Sequence, residues 1–127
     1  MIASNAVNIK KAGDTGGIDI LLVVMRGHTQ SAELQAQACT IFYILTLGNT
    51  ENTTEAGNAG AIEAIVVAMR RHTQHDELQV WACEVFFKLI VSNAKNRIKA
   101  AKAGAIEAIA AAMRSRRLGG EKCLEQA

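Results

Sequence analysis

The chain repeats itself at a spacing of 44 residues. "GAIEAIVVAMRRHTQ" from Gly60 is nearly rewritten as "GIDILLVVMRGHTQ" from Gly17 and as "GAIEAIAAAMRSRR" from Gly104, so that Ile18, Ile62 and Ile106 align, as do Met25, Met69 and Met113. The match continues outside that phrase: "HTQSAELQAQACTIF" from His28 lies over "HTQHDELQVWACEVF" from His72, and "SNAVN" from Ser4 over "SNAKN" from Ser92. Self-similarity at a period of about 20 to 50 residues is the mark of a solenoid, in which each unit buries its apolar face only by stacking on its neighbours.

Three helical pieces fit in one period. The longest begins near Asp76, where Leu78, Ala82, Val85, Phe86 and Leu89 follow the spacing that lines one face of a helix. Ile62, Ile65, Val66 and Met69 mark a shorter amphipathic helix before it, and the polar link "RRHTQHD" between the two ends in Asp76, a residue suited to N-capping. A third, short helix is expected in "NAKNRIKAAKAG" from Asn93, closed by Gly104, which can take positive φ and turn the chain into the next copy. The composition agrees: the chain has no proline and only 4% aromatics, against abundant Ala, Ile, Val and Leu, which favours helices over strands.

Three helices per unit, with a Gly-Ala corner leading into "IEAIVVAM", resemble the armadillo repeat family. The resemblance is carried by "NRIKAAKAGAIEAIAAAM" from Asn96, by "ELQVWACEVFFKLIVSN" from Glu77 and by its counterpart "ELQAQACTIFYILTLGN" from Glu33, and spans almost the whole chain. HEAT-type units, with two helices and no glycine corner, fit less well. The resemblance implies an all-α, right-handed α-solenoid of armadillo-like three-helix repeats. Two full copies, 17–60 and 61–104, are expected between a partial copy at 1–16 and another at 105–127. In that frame Ile2, Ala3 and Ser4 align with Ile90, Val91 and Ser92, the last turn of a long helix, and "LGGEKCLEQA" from Leu118 is the beginning of one.

Armadillo arrays stack their longest helices along a concave groove that binds an extended peptide or another protein, so the resemblance directs attention to the polar stripe of those helices. At about 100° per residue, Glu77, Trp81, Glu84, Lys88 and Ser92 share one side, and Glu33, Gln37, Thr40, Ile44 and Gly48 share it one copy earlier. Trp81 and Ile44 are apolar where polarity is expected. Trp81 fits either a ring lying over a neighbouring helix, since Trp is highly buried on average, or a groove anchor, since Trp is enriched among binding hot spots. Nuclear-import receptors similar to this family read basic peptides with Trp and Asn four residues apart. The matching positions here are Glu84 with Lys88 and Thr40 with Ile44, so that chemistry is missing, and Glu84 with Lys88 is expected to form a solvated ion pair.

Other chemistries fare worse. The cluster His72, His75, Asp76 and Glu77 has metal-ligating letters, but only His72 recurs, as His28, and a polar loop capping a helix accounts for it. Asp19, Glu63 and Glu107 recur at the start of the shorter helix, where its dipole favours negative charge. No nucleophile, base and orienting group converge and no cofactor motif is present, so a non-enzymatic chain without cofactors is expected. Lys95, Arg97, Lys99, Lys102, Arg114, Arg116 and Arg117 make the C-terminal third basic. A net charge of +2 and the lack of interleaved aromatics argue against nucleic acid, which stays the weakest alternative. With no apolar run of about 18 residues and no leader pattern, the expectation is a chain without a membrane span, cytoplasmic or, as the alternative, nuclear.

The three cysteines form no pair of metal or redox spacing. Cys39 and Cys83 occupy one position in two copies and read as small core residues, while Cys123 reads as a reactive thiol. The expected function is therefore a protein-binding scaffold using Glu33, Gln37, Thr40, Ile44, Glu77, Trp81, Glu84 and Lys88. The competing expectation is a homo-oligomer joined through open ends. Those ends would expose Ile18, Leu21, Leu22 and Met25 on one side and Ile106, Ile109 and Met113 on the other, with Gly119 and Gly120 as a hinge for segment exchange.

Overall fold

Eight helices follow one another in the computed structural model, which describes residues 2–91 and 93–115 and shows no strand among them. They are α1 (Ile2–Asp14), α2 (Gly17–Gly27), α3 (Ala32–Thr46), α4 (Thr50–Ala59), α5 (Ala61–Arg71), α6 (Asp76–Ile90), α7 (Ala94–Ala103) and α8 (Ala105–Ser115). Like helices of successive copies stack: α3 packs along α6 in the broadest helix contact of the array, α2 on α5, α5 on α8, and α4 on α7. The architecture is an all-α solenoid.

Local chemistry sets each boundary. Asn49 and Asn93 cap α4 and α7, their Oδ1 accepting from the backbone N–H of Asn52 and Asn96 at 2.9 Å. Gly60 and Gly104 end the same helices with φ of 102° and 82°, the left-handed corner that lets the next helix start at once. Ser31 caps α3 through Oγ, and His75, its counterpart one copy on, caps α6 through Nδ1 accepting from Leu78 N–H at 3.1 Å. The cap of the second long helix is thus His75 and not Asp76, which is already the first helical residue. A neutral imidazole nitrogen accepts a backbone hydrogen bond as the serine hydroxyl does, and Asp76 instead adds charge at the positive end of the dipole.

α1 also differs from expectation. Asn5 aligns with the caps Asn49 and Asn93, yet one continuous helix runs from Ile2 through it. At the two caps a helix of 15 residues, α3 or α6, ends just upstream and fixes a new direction, whereas residues 2–4 only extend the helix that follows.

The interior row of each copy is buried as its periodicity predicts: Leu78, Ala82, Val85, Phe86 and Leu89 are fully enclosed, as are Cys39 and the equivalent pair Ile18 and Ile62. Ile18, Leu22 and Met25 are therefore core, not an exposed end. α2, which packs on α1, α3, α4 and α5, buries them in the array's core. The apolar surface that α2 does expose carries Ile20 and Val23, 62% and 68% accessible. Ile106 is 62% exposed. The segment equivalent to α3 and α6 in its copy, Cys123, the Gly119–Gly120 hinge and the arginines 116 and 117 lie outside the described residues.

Two buried amides hold the helices in register. Gln35 Nε2 donates to the carbonyls of Met25 and His28, and Gln79 Nε2 repeats this on Met69 and His72, tying the end of each short helix to the long helix of its own copy. Asn52 Nδ2 donates to Leu45 O at 2.8 Å and to Ile9 O of the preceding copy at 3.2 Å. Asn96 Nδ2 makes the same pair with Leu89 O and Thr53 O. Each asparagine lies against a glycine of the preceding layer: a Cβ on Gly13 would collide with the Asn52 amide, and one on Gly57 with that of Asn96.

Gly57→Ala should therefore destabilise the chain, although alanine is the better helix former. Displacing the Asn96 amide leaves buried carbonyls and an amide short of partners, worth about 1 to 3 kcal/mol. Urea unfolding of Gly57→Ala, Asn96→Ala and the double variant checks this. The double should fall well short of the sum of the singles, because both act on one contact.

Candidate functional site

Of the eight residues marked by the polar stripe, α3 carries Glu33, Gln37, Thr40 and Ile44, and α6 carries Glu77, Trp81, Glu84 and Lys88. Amphipathic spacing puts the apolar rows of both helices into the core, and what remains facing outward is a strip running from their N-terminal to their C-terminal turns. Glu33 and Glu77 stand exposed near the N-terminal turns, one copy apart, with Gln37 exposed a turn further along α3. Thr40 is half-buried and its hydroxyl donates to Ala36 O at 3.1 Å, so it is occupied within its own helix. Ile44 is close to half exposed.

The second copy gathers its residues more tightly. Trp81 is half-buried and meets the Tyr43 ring edge-on, with centroids 5.4 Å apart and planes at 65°, an arrangement favoured by aromatic quadrupoles. Lys88 is half-buried too, its Nζ 5.4 Å from the centroid of Tyr43 and 6.0 Å from that of Phe87, within cation–π range. The aromatic–cation cluster thus spans the joint between copies, from Tyr43 on α3 to Trp81, Phe87 and Lys88 on α6.

Tyr43 was absent from the stripe reading, which followed each helix separately. A side chain turned from the stripe toward the next copy belongs to the surface of both helices. The signal was available: Tyr43 and Phe87 align as aromatics, and Trp81 lies on the side of α6 that turns back toward α3.

Glu84 corrects the sequence reading. Only 8% of it is accessible, so Glu84 and Lys88 are not a solvated pair. Burial pushes the Glu84 carboxyl above its ordinary value, and the positive charge of Lys88 offsets part of that rise. The histidines beside the site are engaged in the fold: His75 caps α6, and the Nε2 of His72 lies 2.7 Å from Thr29 O of the preceding copy. Cys39, behind the face, has its thiol pushed up to about 12 by burial, which suits a core residue and not a nucleophile.

The arrangement offers an apolar and aromatic surface with charges on its margins. Ile44, Leu47, Phe87 and Val91 are all partly exposed toward the C-terminal turns of α3 and α6, opposite the glutamates. Such a surface can bind a polypeptide.

Comparison with known proteins agrees with the fold. A family model described as LRRK2 ARM repeat matches residues 1–126. The chain belongs to the LRRK2 ARM repeat family. No curated protein and no solved structure gives a match. Armadillo repeats are helical scaffolds, generally non-catalytic and commonly used for protein interaction, and no helix of this ARM array, among the described residues, is long and apolar enough to cross a membrane.

Glu84 gives the ARM array a pH dependence of defined sign. A carboxyl whose folded pKa lies above its unfolded one binds its proton more readily when folded. Its unfavourable contribution is therefore absent below the unfolded pKa and grows as pH rises through the folded one. Glu84→Gln should be more stable than wild type at neutral pH, with the advantage fading as pH falls through the carboxylate range. Thermal unfolding of both chains across that range checks the sign.

Proposed function

We propose that this chain is a non-enzymatic protein-interaction scaffold that binds an extended segment of a partner polypeptide across the α3–α6 face. The observation that supports the reading most is the cluster of Tyr43, Trp81 and Lys88, in which aromatic rings and a cation from two copies share one half-buried strip. Aromatic anchors ringed by apolar neighbours concentrate binding energy, and the partly exposed Ile44, Phe87 and Val91 supply that ring. Glu33, Gln37, Thr40, Ile44, Glu77, Trp81, Glu84 and Lys88 form the proposed contact surface, distributed over two full copies, 17–60 and 61–104. Glu84 acts from beneath the surface, where it sets the charge balance around Lys88. The cytoplasm is the proposed location.

A second reading, association between copies of this chain, draws on the accessible Val7, Ile20 and Val23 of α1 and α2. These side chains stand on two helices in contact, and larger exposed apolar patches mark interaction sites.

Peptides selected from a random display library against the wild-type chain provide the probe for the groove reading. Trp81→Ala should weaken their binding by about 1 to 2 kcal/mol or more while helical content stays unchanged. Equal affinity for both chains at matched folded fraction would show that Trp81 is core packing and no anchor.

A further inference from the structure

We infer that the cavity at the joint between α2 and α5 is a binding site for a free apolar α-amino acid of about leucine size, separate from the α3–α6 face. Met25, Gln35 and Ala68 are the buried residues of its wall, and Ala64 and the half-exposed Val67 complete its apolar part. The space measures about 170 Å³. An enclosed apolar cavity of about 150 Å³ takes benzene, so this one has room for a branched aliphatic side chain and not for a drug-sized molecule.

The edge of the cavity is charged. Arg26 and Glu63 also line it, and both are exposed. Their heads gather at one corner: Arg26 Nη2 lies 2.6 Å and Glu63 Oε1 3.9 Å from the point that a Cβ on Gly60 would occupy. The guanidinium donates to Ala59 O and keeps further N–H groups for a carboxylate, while the Glu63 carboxylate accepts from an ammonium. An α-amino acid carries both groups on one carbon and meets both partners at once, whereas a residue inside a polypeptide carries neither. Its side chain then fills the apolar space, and its charges stay at the edge, where they remain paired and hydrated.

The next joint provides an internal control. The corresponding cavity between α5 and α8, about 140 Å³, has Met69, Arg70 and Gln79 in its lining, but Ala111 replaces Val67 and Glu107 is not among the lining residues. Glu107 Oε2 stands 3.3 Å from the equivalent point at Gly104, nearer the corner that Arg70 covers. The second cavity therefore offers the cation without the carboxylate, in less space.

NMR of the full chain labelled at its methionine methyls tests the inference, with L-leucine as the probe. Leucine should shift the Met25 methyl along a saturable curve and leave the Met69 methyl in place. Isovalerate, which keeps the branched chain and carboxylate but has no ammonium, should bind about tenfold more weakly than leucine, and Glu63→Gln should weaken leucine by about the same factor while leaving isovalerate no weaker. Val67→Trp, a change at a half-exposed position, should fill the space and abolish the Met25 response with helical content unchanged. A Met25 signal that leucine does not move up to its solubility limit overturns the inference. Equal affinity for leucine and isovalerate in the wild-type chain also overturns it, since the cavity would then take any apolar group. Equal shifts of Met25 and Met69 do the same, because the Glu63 carboxylate would then decide nothing.

Discussion

An asparagine amide shared between two layers is the contact on which the array's register depends. Apolar surfaces attract without direction, and α3 could slide along α6 by a fraction of a turn with little loss of buried area. Asn52 and Asn96 remove that freedom, because each Nδ2 has two carbonyls to satisfy, one in its own copy and one in the copy before. A made hydrogen bond of this kind adds only about 1 kcal/mol, but a buried one left unmade costs up to about 3. The asymmetry turns a weak attraction into a strong selection among registers. The glycines complete the device, since a Cβ at position 57 would collide with the Asn96 amide and force it to shift.

The glutamines act on a shorter scale. Gln35 and Gln79 bind carbonyls freed at the ends of α2 and α5, where the last turn of a helix has acceptors without intrahelical donors. Arg26 does related work at the next corner, donating from Nη2 to Ala59 O across the joint at 3.2 Å. Glutamine thus fixes the angle between helices within a copy, and asparagine the step between copies. No buried side-chain nitrogen or oxygen among the described residues is left without a partner. The buried amides of the core therefore specify geometry with their hydrogen bonds made, while Glu84 is the buried group that carries a desolvation cost.

Much of this was legible before the structure, and the physics says which part. Helix positions followed from apolar spacing and from the corners at Gly60 and Gly104, because those signals are local. The cap of α6 was misplaced by one residue since Asp and His are both plausible acceptors, and only the backbone turn decides between them. Ile18, Leu22 and Met25 were assigned to an exposed end because periodicity shows that a face is apolar and not which neighbour covers it. The same limit applies to the binding face. The stripe on each helix could be drawn, but Tyr43 became visible only when two helices lay side by side. Helical spacing places Glu84 on the polar stripe, and its burial is set by the folded array and not by its own helix.

A chain that repeats itself also allows structural and recognition roles to be separated from within. Where both copies need the same contact, the residue recurs: Gln35 with Gln79, Asn52 with Asn96, Gly13 with Gly57, Cys39 with Cys83. On the outward face of α3 and α6 the pairs diverge instead. Gln37 stands opposite Trp81, Thr40 opposite Glu84, and Ile44 opposite Lys88. Packing accounts for part of this, since Trp81 lies against Tyr43 and Glu84 is buried where Gln37 is exposed and Thr40 half-buried. On the proposed reading, the two copies would then present different chemistry to a ligand, an aliphatic Ile44 on α3 and the Trp81–Lys88 side of the aromatic–cation cluster on α6. A ligand spanning both would meet them in a fixed order, so its direction along the array would be specified by the side chains that do not repeat, while those that do repeat hold the distance between them.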